Sequence, residues 1–178
     1  MKIICISGKA QHGKDTCAGI MQRLFDERGK RARIIHYADL LKYLCKTYFD
    51  WDGEKDAYGR TLLQRVGTDT IRAKEPDYRD NFVINFLKLL PNEWDYVIIP
   101  DTRFPNEVFS MKEAFPDTLH VRVIRPNFDN GLSIEQQNHI SETALDEIQP
   151  DGVIMNDGSP RDLLHSVNKF LGMIGGEK

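Results

Sequence analysis

The sequence predicts an α/β fold built on a parallel sheet, and three observations carry that prediction. Short β-branched apolar runs recur along the chain, most clearly at Lys2–Ser7, Tyr96–Ile99 and Leu119–Ile124. Segments long enough for helices separate them, the spacing expected of βαβ units. No internal repeat or low-complexity tract interrupts the alternation. The 178 residues suit one domain, able to bury a full core without disulfides or metals.

Lys2–Ser7 (KIICIS) is apolar enough to be buried on both faces, as a parallel strand is. Asp15–Arg28 follows as a helix ending at Gly29. Arg33–Tyr37 is a second strand, and Ala38–Phe49 a helix with Leu40, Leu41, Leu44 and Cys45 on one side. Asp50–Gly59 is polar and contains glycine, so it is expected as a loop. Arg60–Arg72 and Tyr78–Leu90 are helices separated by Glu75-Pro76. Tyr96–Ile99 is a core strand running into Pro100-Asp101, and Asn106–Phe115 a helix. Leu119–Ile124 and Gly152–Met155 are the remaining strands. Ser159-Pro160 opens a last helix to about Met173, with Ser as N-cap and Pro at the first helical position. Parallel sheets bind ligands beyond the carboxyl ends of their strands. The segments to examine are therefore those that follow a strand.

Charge and composition exclude several classes. A formal net charge of −3 argues against a duplex-DNA binder, so no nucleic-acid partner is expected. An anionic ligand must be held by locally placed cations and backbone amides. Cys5, Cys17 and Cys45 form no CxxC pair and read as free, buried thiols of a reducing compartment. No apolar run approaches the roughly 18 residues of a membrane span, and the N-terminus is too short in apolar residues for a signal peptide. A cytoplasmic protein without a membrane partner is the expectation.

Gly8–Thr16 reads G-K-A-Q-H-G-K-D-T, directly after an apolar strand and opening a helix. Gly8-x4-Gly13-Lys14 is the core of a P-loop: glycine torsions turn successive N–H groups inward, and the helix adds its positive end. Lys14 supplies a mobile charge for the β- and γ-phosphates of a nucleotide. The usual Ser or Thr after that lysine is replaced by Asp15, with a hydroxyl one place later at Thr16. Asp15 can bind Mg²⁺ directly, bind it through water, or cap the helix; Thr16 can hold the α-phosphate.

WDYVIIPDTR ends a buried strand on Asp101, which suits a carboxylate for Mg²⁺ or its waters, an orienter of an attacking oxygen, or a plain N-cap. Arg103 can clamp a phosphate bidentately. Glu107 lies one helical turn on. Neither N-K-x-D nor D-x-x-G after Asp101 is present, which disfavours a GTPase. Arg60, Arg65 and Arg72 lie on one expected helix, where Arg65 and Arg72, seven apart, share a face. Arg60 and the Gly67-Thr68-Asp69 break are the acceptor-side candidates.

Together, S-G-x4-G-K-D-T (Ser7–Thr16), Y-A-D-L-L-K (Tyr37–Lys42), R-x3-Q-x2-G-T-D (Arg60–Asp69), P-D-T-R-x3-E (Pro100–Glu107), V-I-R-P (Val123–Pro126), H-x-S-E (His139–Glu142) and N-D-G-S (Asn156–Ser159) resemble the bacteriophage-type deoxynucleoside monophosphate kinases. The resemblance implies a three-layer P-loop kinase fold with a five-stranded parallel sheet. It implies an acceptor-binding helical insertion at about 38–92 and a lid at about 126–150, within one domain spanning 1–178. It implies ATP and Mg²⁺ as cofactors, a deoxynucleoside monophosphate as acceptor, and a monomer or homodimer. By position, Gly8, Gly13, Lys14, Asp15, Thr16, Asn156 and Gly158 fall on the ATP side. Lys42, Arg60, Gln64, Gly67, Thr68, Phe82, Asp101, Arg103 and Glu107 fall on the acceptor side. Mg²⁺ falls to Asp15, Thr16 and Asp101, partly through water, and the transferring group to Lys14, Asp101, Arg103 and Arg125. Phe82 stands where the family often has Trp.

The lid segment carries no Lys or Arg between Arg125 and Arg161, so Arg125 at its base is expected to serve with Arg103. His139 and Glu142 are candidates for lid closure or acceptor contact, against a plain surface helix. Rival expectations are a kinase of another phosphorylated small molecule, such as phosphomevalonate or dephospho-coenzyme A, and a non-catalytic nucleotide-binding regulator.

Overall fold

The computed structural model describes residues 1–54 and 56–175. Two compact units are present, one of residues 1–35 with 91 onward, the other of His36–Leu90.

The first unit is built on the expected five-stranded parallel sheet. Strands β1 (Lys2–Ser7), β2 (Ala32–Ile34), β3 (Tyr96–Ile99), β4 (Leu119–Ile124) and β5 (Gly152–Met155) lie in the order β2-β3-β1-β4-β5. Central β1 pairs Ile4 with Ile98 of β3 and Ile6 with Val121 of β4. Its Ile3–Ile6 run is fully buried, which is why it reads as continuous apolar sequence rather than alternating. Helices α1 (Lys14–Glu27) and α8 (Pro160–Gly175) pack together over the sheet. Met21 and Phe25 of α1 meet Val167 and Phe170 of α8 in one cluster with Ile4, Val121 and Ile154. Ser159 and Asp162 cap α8 reciprocally: the Ser159 N–H donates to Asp162 Oδ2 at 2.8 Å. Helix α5 (Pro105–Ala114) follows β3, and two single-turn helices, α6 (Ile134–Gln137) and α7 (Ile140–Thr143), lie between β4 and β5.

The second strand is shorter than the expected Arg33–Tyr37. Its ladder to β3 covers Ala32–Ile34, and the Ile35 N–H still reaches Ile98 O at 3.0 Å. The next residues turn instead toward a helix, because the Asp39 carboxylate captures the His36 N–H at 2.9 Å.

The second unit holds α2 (Ala38–Tyr48), α3 (Ala57–Gln64) and α4 (Tyr78–Leu89). Leu41, Cys45, Trp51, Leu62 and Val66 form its core. The expected loop gives way to helix at Ala57 because Asp56 accepts the Gly59 N–H at 2.7 Å as N-cap. Residues Arg65–Arg72 continue α3 as a π-helix rather than an α-helix. Thr70 Oγ1 donates to Arg65 O at 2.9 Å, five residues back. Wider winding rotates each residue less, so Arg65 and Arg72 do not stack on one face as α-periodicity predicted. Arg65 is exposed and Arg72 half-buried.

Candidate active site

The carboxyl ends of β1, β3, β4 and β5 carry the phosphate loop, Asp101–Arg103, Arg125 and Asn156–Gly158 respectively. The loop's shape depends on its glycines. Gly8 sits at φ 147°, where an added Cβ would stand 2.5 Å from Val123 O. Gly13 sits at φ 94° and precedes α1, in a left-handed conformation that strains any L side chain. Gln11 is also left-handed, at φ 60°. The Asn156 amide donates to His12 O at 3.0 Å, and the Arg125 N–H to His12 Nδ1 at 3.2 Å. The loop is thereby braced to β4 and β5.

Lys14 is buried, and its Nζ donates to Gly8 O at 2.8 Å and Lys9 O at 2.9 Å. Burial, with Arg103 second, lowers its pKa to about 8, while Glu142, Asp15 and Asp101 pull the other way. Desolvation of an ammonium disfavours its charged form. Asp15 and Thr16 are exposed in the first turn of α1, and Asp101 is half-buried at the end of β3.

Arg103 is held at both ends. Glu107, buried at 1%, accepts the Arg103 N–H at 2.6 Å and the Phe104 N–H at 3.0 Å, closing the turn into α5. The guanidinium Nη1 donates to the Glu142 carboxylate and to Ser141 O. Lys9 Nζ donates to Glu142 O at 2.7 Å and pairs with Asp146 at 2.7 Å, and the Ala10 N–H donates to Glu142 Oε2 at 2.7 Å. A cavity of about 210 Å³ opens here, lined by Ser7, Lys9, His12, Arg103, Glu142 and Asp146 among others. Arg125 is elsewhere: its guanidinium lies 3.7 Å over the Phe128 ring and does not line that cavity.

Within the second unit, Arg60, Gln64 and Thr68 are exposed at four-residue spacing along α3 and the π-helix. Buried Gly67 lies against Leu41 of α2, so its lack of a side chain serves packing there. Lys42 Nζ is 3.3 Å from Asp39, and Phe82 is 44% exposed on α4. Gly158 is exposed at the N-terminal approach to α8.

Sequence reasoning missed the contacts that brace the loop. His12 occupies a variable position of the P-loop pattern, and no one-dimensional signal shows that β4 and β5 will brace it. Ser7 Oγ and His120 Nε2, 113 residues apart, meet at 2.8 Å beneath the loop, which only strand pairing brings about. Glu142 did carry a signal, the H-x-S-E motif, but its partners were hidden.

The chain is similar to known proteins in a consistent way. A family model, deoxynucleotide monophosphate kinase, matches residues 48–167. The deoxynucleotide monophosphate kinase of Enterobacteria phage T4 is 26% identical over 163 residues, covering 90% of this chain and 61% of that protein. The enzyme of the same name from Escherichia phage RB69 is 27% identical over 114 residues, 63% of this chain and 44% of that one. The chain thus spans less than two thirds of the length of these relatives. Among solved structures, an APS kinase of Mycobacterium tuberculosis in complex with AMPPNP and APS superposes with a TM-score of 0.56 at 13% identity, covering 96% of this chain and 97% of that one. A shikimate kinase from Bacteroides thetaiotaomicron gives 0.55 at 14% identity and 98% coverage of both. These structures share the P-loop kinase fold with the chain. The family match begins at residue 48, beyond the phosphate loop, so the loop stands as a separate observation.

Proposed function

We propose, for a chain that belongs to the deoxynucleotide monophosphate kinase family, transfer of the γ-phosphoryl group of ATP to a (deoxy)nucleoside monophosphate. The observation that carries this reading is the juxtaposition of Lys14, in a glycine-shaped loop, with the arginine that follows β3. Phosphoryl transfer asks little covalent work of a protein; positioning and charge neutralisation do most of it.

In this reading the amides of the loop and Lys14 hold the β- and γ-phosphates. Lys14 leaves the carbonyls of Gly8 and Lys9 for the phosphates, whose negative charge favours its ammonium form. Arg103 takes the moving phosphoryl group, and an acceptor phosphate oxygen displaces ADP in line. Asn156 and Gly158 lie on the donor-base side. Residues of about 38–92, with Lys42, Arg60, Gln64, Gly67, Thr68 and Phe82, are the acceptor-binding insertion in this reading, and residues of about 126–150 the lid. Glu107 contributes through the backbone of Arg103. Arg125 reaches the phosphates only after leaving Phe128.

Asp15 and Asp101 act on the charge of Lys14, and Thr16 follows Asp15 in the first turn of α1, so two carboxylates and a hydroxyl are the hard oxygen donors there. That sparse donor set suits Mg²⁺, which takes one or two carboxylates and completes its shell with water and substrate phosphates. When bound it would neutralise charge on the phosphates. Among the described residues no helix is long and apolar enough to cross a membrane.

The test is ATP consumption against a panel of deoxynucleoside and ribonucleoside monophosphates, with phosphomevalonate and dephospho-coenzyme A included. Turnover on the nucleotides supports the proposal. Turnover confined to either other compound, or ATP binding without turnover on any acceptor, overturns it.

A further inference from the structure

We propose that Glu142 is the positioning residue for Arg103, docking one edge of its guanidinium on the phosphate loop and leaving the other edge for phosphate. The inference rests on the kinase reading and adds a residue from the segment that lacks cations of its own. The Glu142 side chain is 8% exposed, and each of its carboxylate oxygens has a partner from a different strand end. Oε2 accepts the Ala10 N–H after β1, and Oε1 takes Arg103 Nη1 after β3. Ser141 O accepts from the same Nη1, so both hydrogens of that nitrogen are committed.

The remaining donors, on Nε and Nη2, have no partner among the described residues, while Arg103 lines the cavity beside the loop. That edge is the planar fork that receives a phosphate bidentately. A guanidinium anchored at one nitrogen also has less rotational freedom to lose when phosphate arrives, which is the benefit of preorganisation. The loop contributes its own half of the clamp. Lys9 binds Glu142 O and the Asp146 carboxylate, so the segment is tied down by backbone as well as charge. Of the loop amides Glu142 takes that of Ala10, while the His12 N–H is bonded within the loop to Lys9 O at 3.3 Å.

A rival role is that of an internal anion that competes with phosphate for Arg103 and Ala10. The two roles move kinetics in opposite directions. Glu142→Gln keeps the size and loses the charge. As a positioning residue its loss lowers kcat about ten- to a hundredfold, the scale expected of a misplaced catalytic group, with KM for ATP held within about twofold. Glu142→Asp, a milder change that keeps the charge, recovers part of the loss. Arg103→Lys with Glu142→Gln is no worse than Arg103→Lys alone, because the two act as one unit. A lower KM for ATP with kcat maintained, or unchanged kinetics, overturns the proposal.

A second readout is independent of turnover. In the ligand-free wild type, side-chain nitrogen NMR should show restricted rotation of the Arg103 guanidinium, and Glu142→Gln should abolish it. Unchanged Arg103 signals overturn the proposal. If the wild type turns over no acceptor while this NMR difference is present, the kinase reading fails and the Glu142–Arg103 docking survives.

Discussion

Ser7 at the end of β1 and His120 on β4 meet with Oγ and Nε2 2.8 Å apart, and both side chains are buried. Nδ1 of His120 has no hydrogen-bond partner among the described residues. The neutral ring suits this site if Nε2 carries the proton and donates it to Ser7. Protonation would put a second N–H at Nδ1, with nothing to receive it.

Burial, with Arg122 second, lowers the His120 pKa to about 4 from an ordinary value of 6.5. The unfolded chain therefore binds more protons than the folded one between those values, so the fold loses stability as pH falls from 6.5 toward 4. Urea midpoints measured across that window should decline in the wild type. In His120→Gln, which keeps a donor and cannot titrate, the decline should be shallower. Equal slopes in the two proteins would contradict this account.

Lys14, like His120, is a cation when protonated, and burial shifts it in the same direction. Its lowered pKa makes the charged form a burden on the empty fold below about pH 8, a burden that fades as pH rises from 8 to 10.5. Lys14→Met should therefore melt at a higher temperature than the wild type at pH 7, and at nearly the same temperature at pH 10.5. The same variant should lose about a hundredfold or more in kcat, as expected when a group stabilising transferred charge is removed. Thermal melts and steady-state kinetics on one preparation check both halves.

Nucleotide binding should take up protons. A phosphate beside Lys14 raises its pKa back toward the ordinary range, so at pH 8–9 the complex holds more protons than its parts. Calorimetry of ATP binding in buffers of different ionisation enthalpy should show net uptake there. Uptake should be smaller at pH 7 and absent in Lys14→Met, and affinity should weaken as pH rises past 8.

Glu107 fixes the backbone from which Arg103 projects. Removing a buried carboxylate that accepts two N–H groups at the head of α5 costs roughly 2–3 kcal/mol. Glu107→Ala should lower the denaturation midpoint accordingly without changing the m-value, and should lower kcat more than KM for ATP. A Glu107→Ala enzyme with normal kcat would remove Glu107 from the chain of positioning.

The legibility of this molecule followed the range of the interactions involved. Lys2–Ser7 and Tyr96–Ile99 were readable as buried strands because full burial leaves a continuous apolar run, a local trait. The phosphate loop was readable because a backbone nest needs glycine at fixed offsets, and its φ values of 147° at Gly8 and 94° at Gly13 bear out that need. The start of α3 was misread because Gly59 reads as a loop residue while Asp56, three places earlier, caps a helix. The π-helix was invisible, since Arg65–Arg72 satisfies α-periodicity on paper and only the backbone shows the wider turn.

Sequence alone determined the parallel α/β class, the phosphate loop with Lys14, and the candidacy of Asp101 and Arg103. Each depends on spacing along a few residues and the hydrogen bonds those residues can make. Tertiary structure decided the company these groups keep: Glu142 and Ser141 on Arg103, Asp146 on Lys9, His120 on Ser7, and Phe128 beneath Arg125. Ion pairs between residues 39 to 137 positions apart, such as Arg103 with Glu142 and Lys9 with Asp146, have no period and no local pattern. They exist because parallel strands bring their carboxyl ends, and the loops that leave them, to one edge of the sheet.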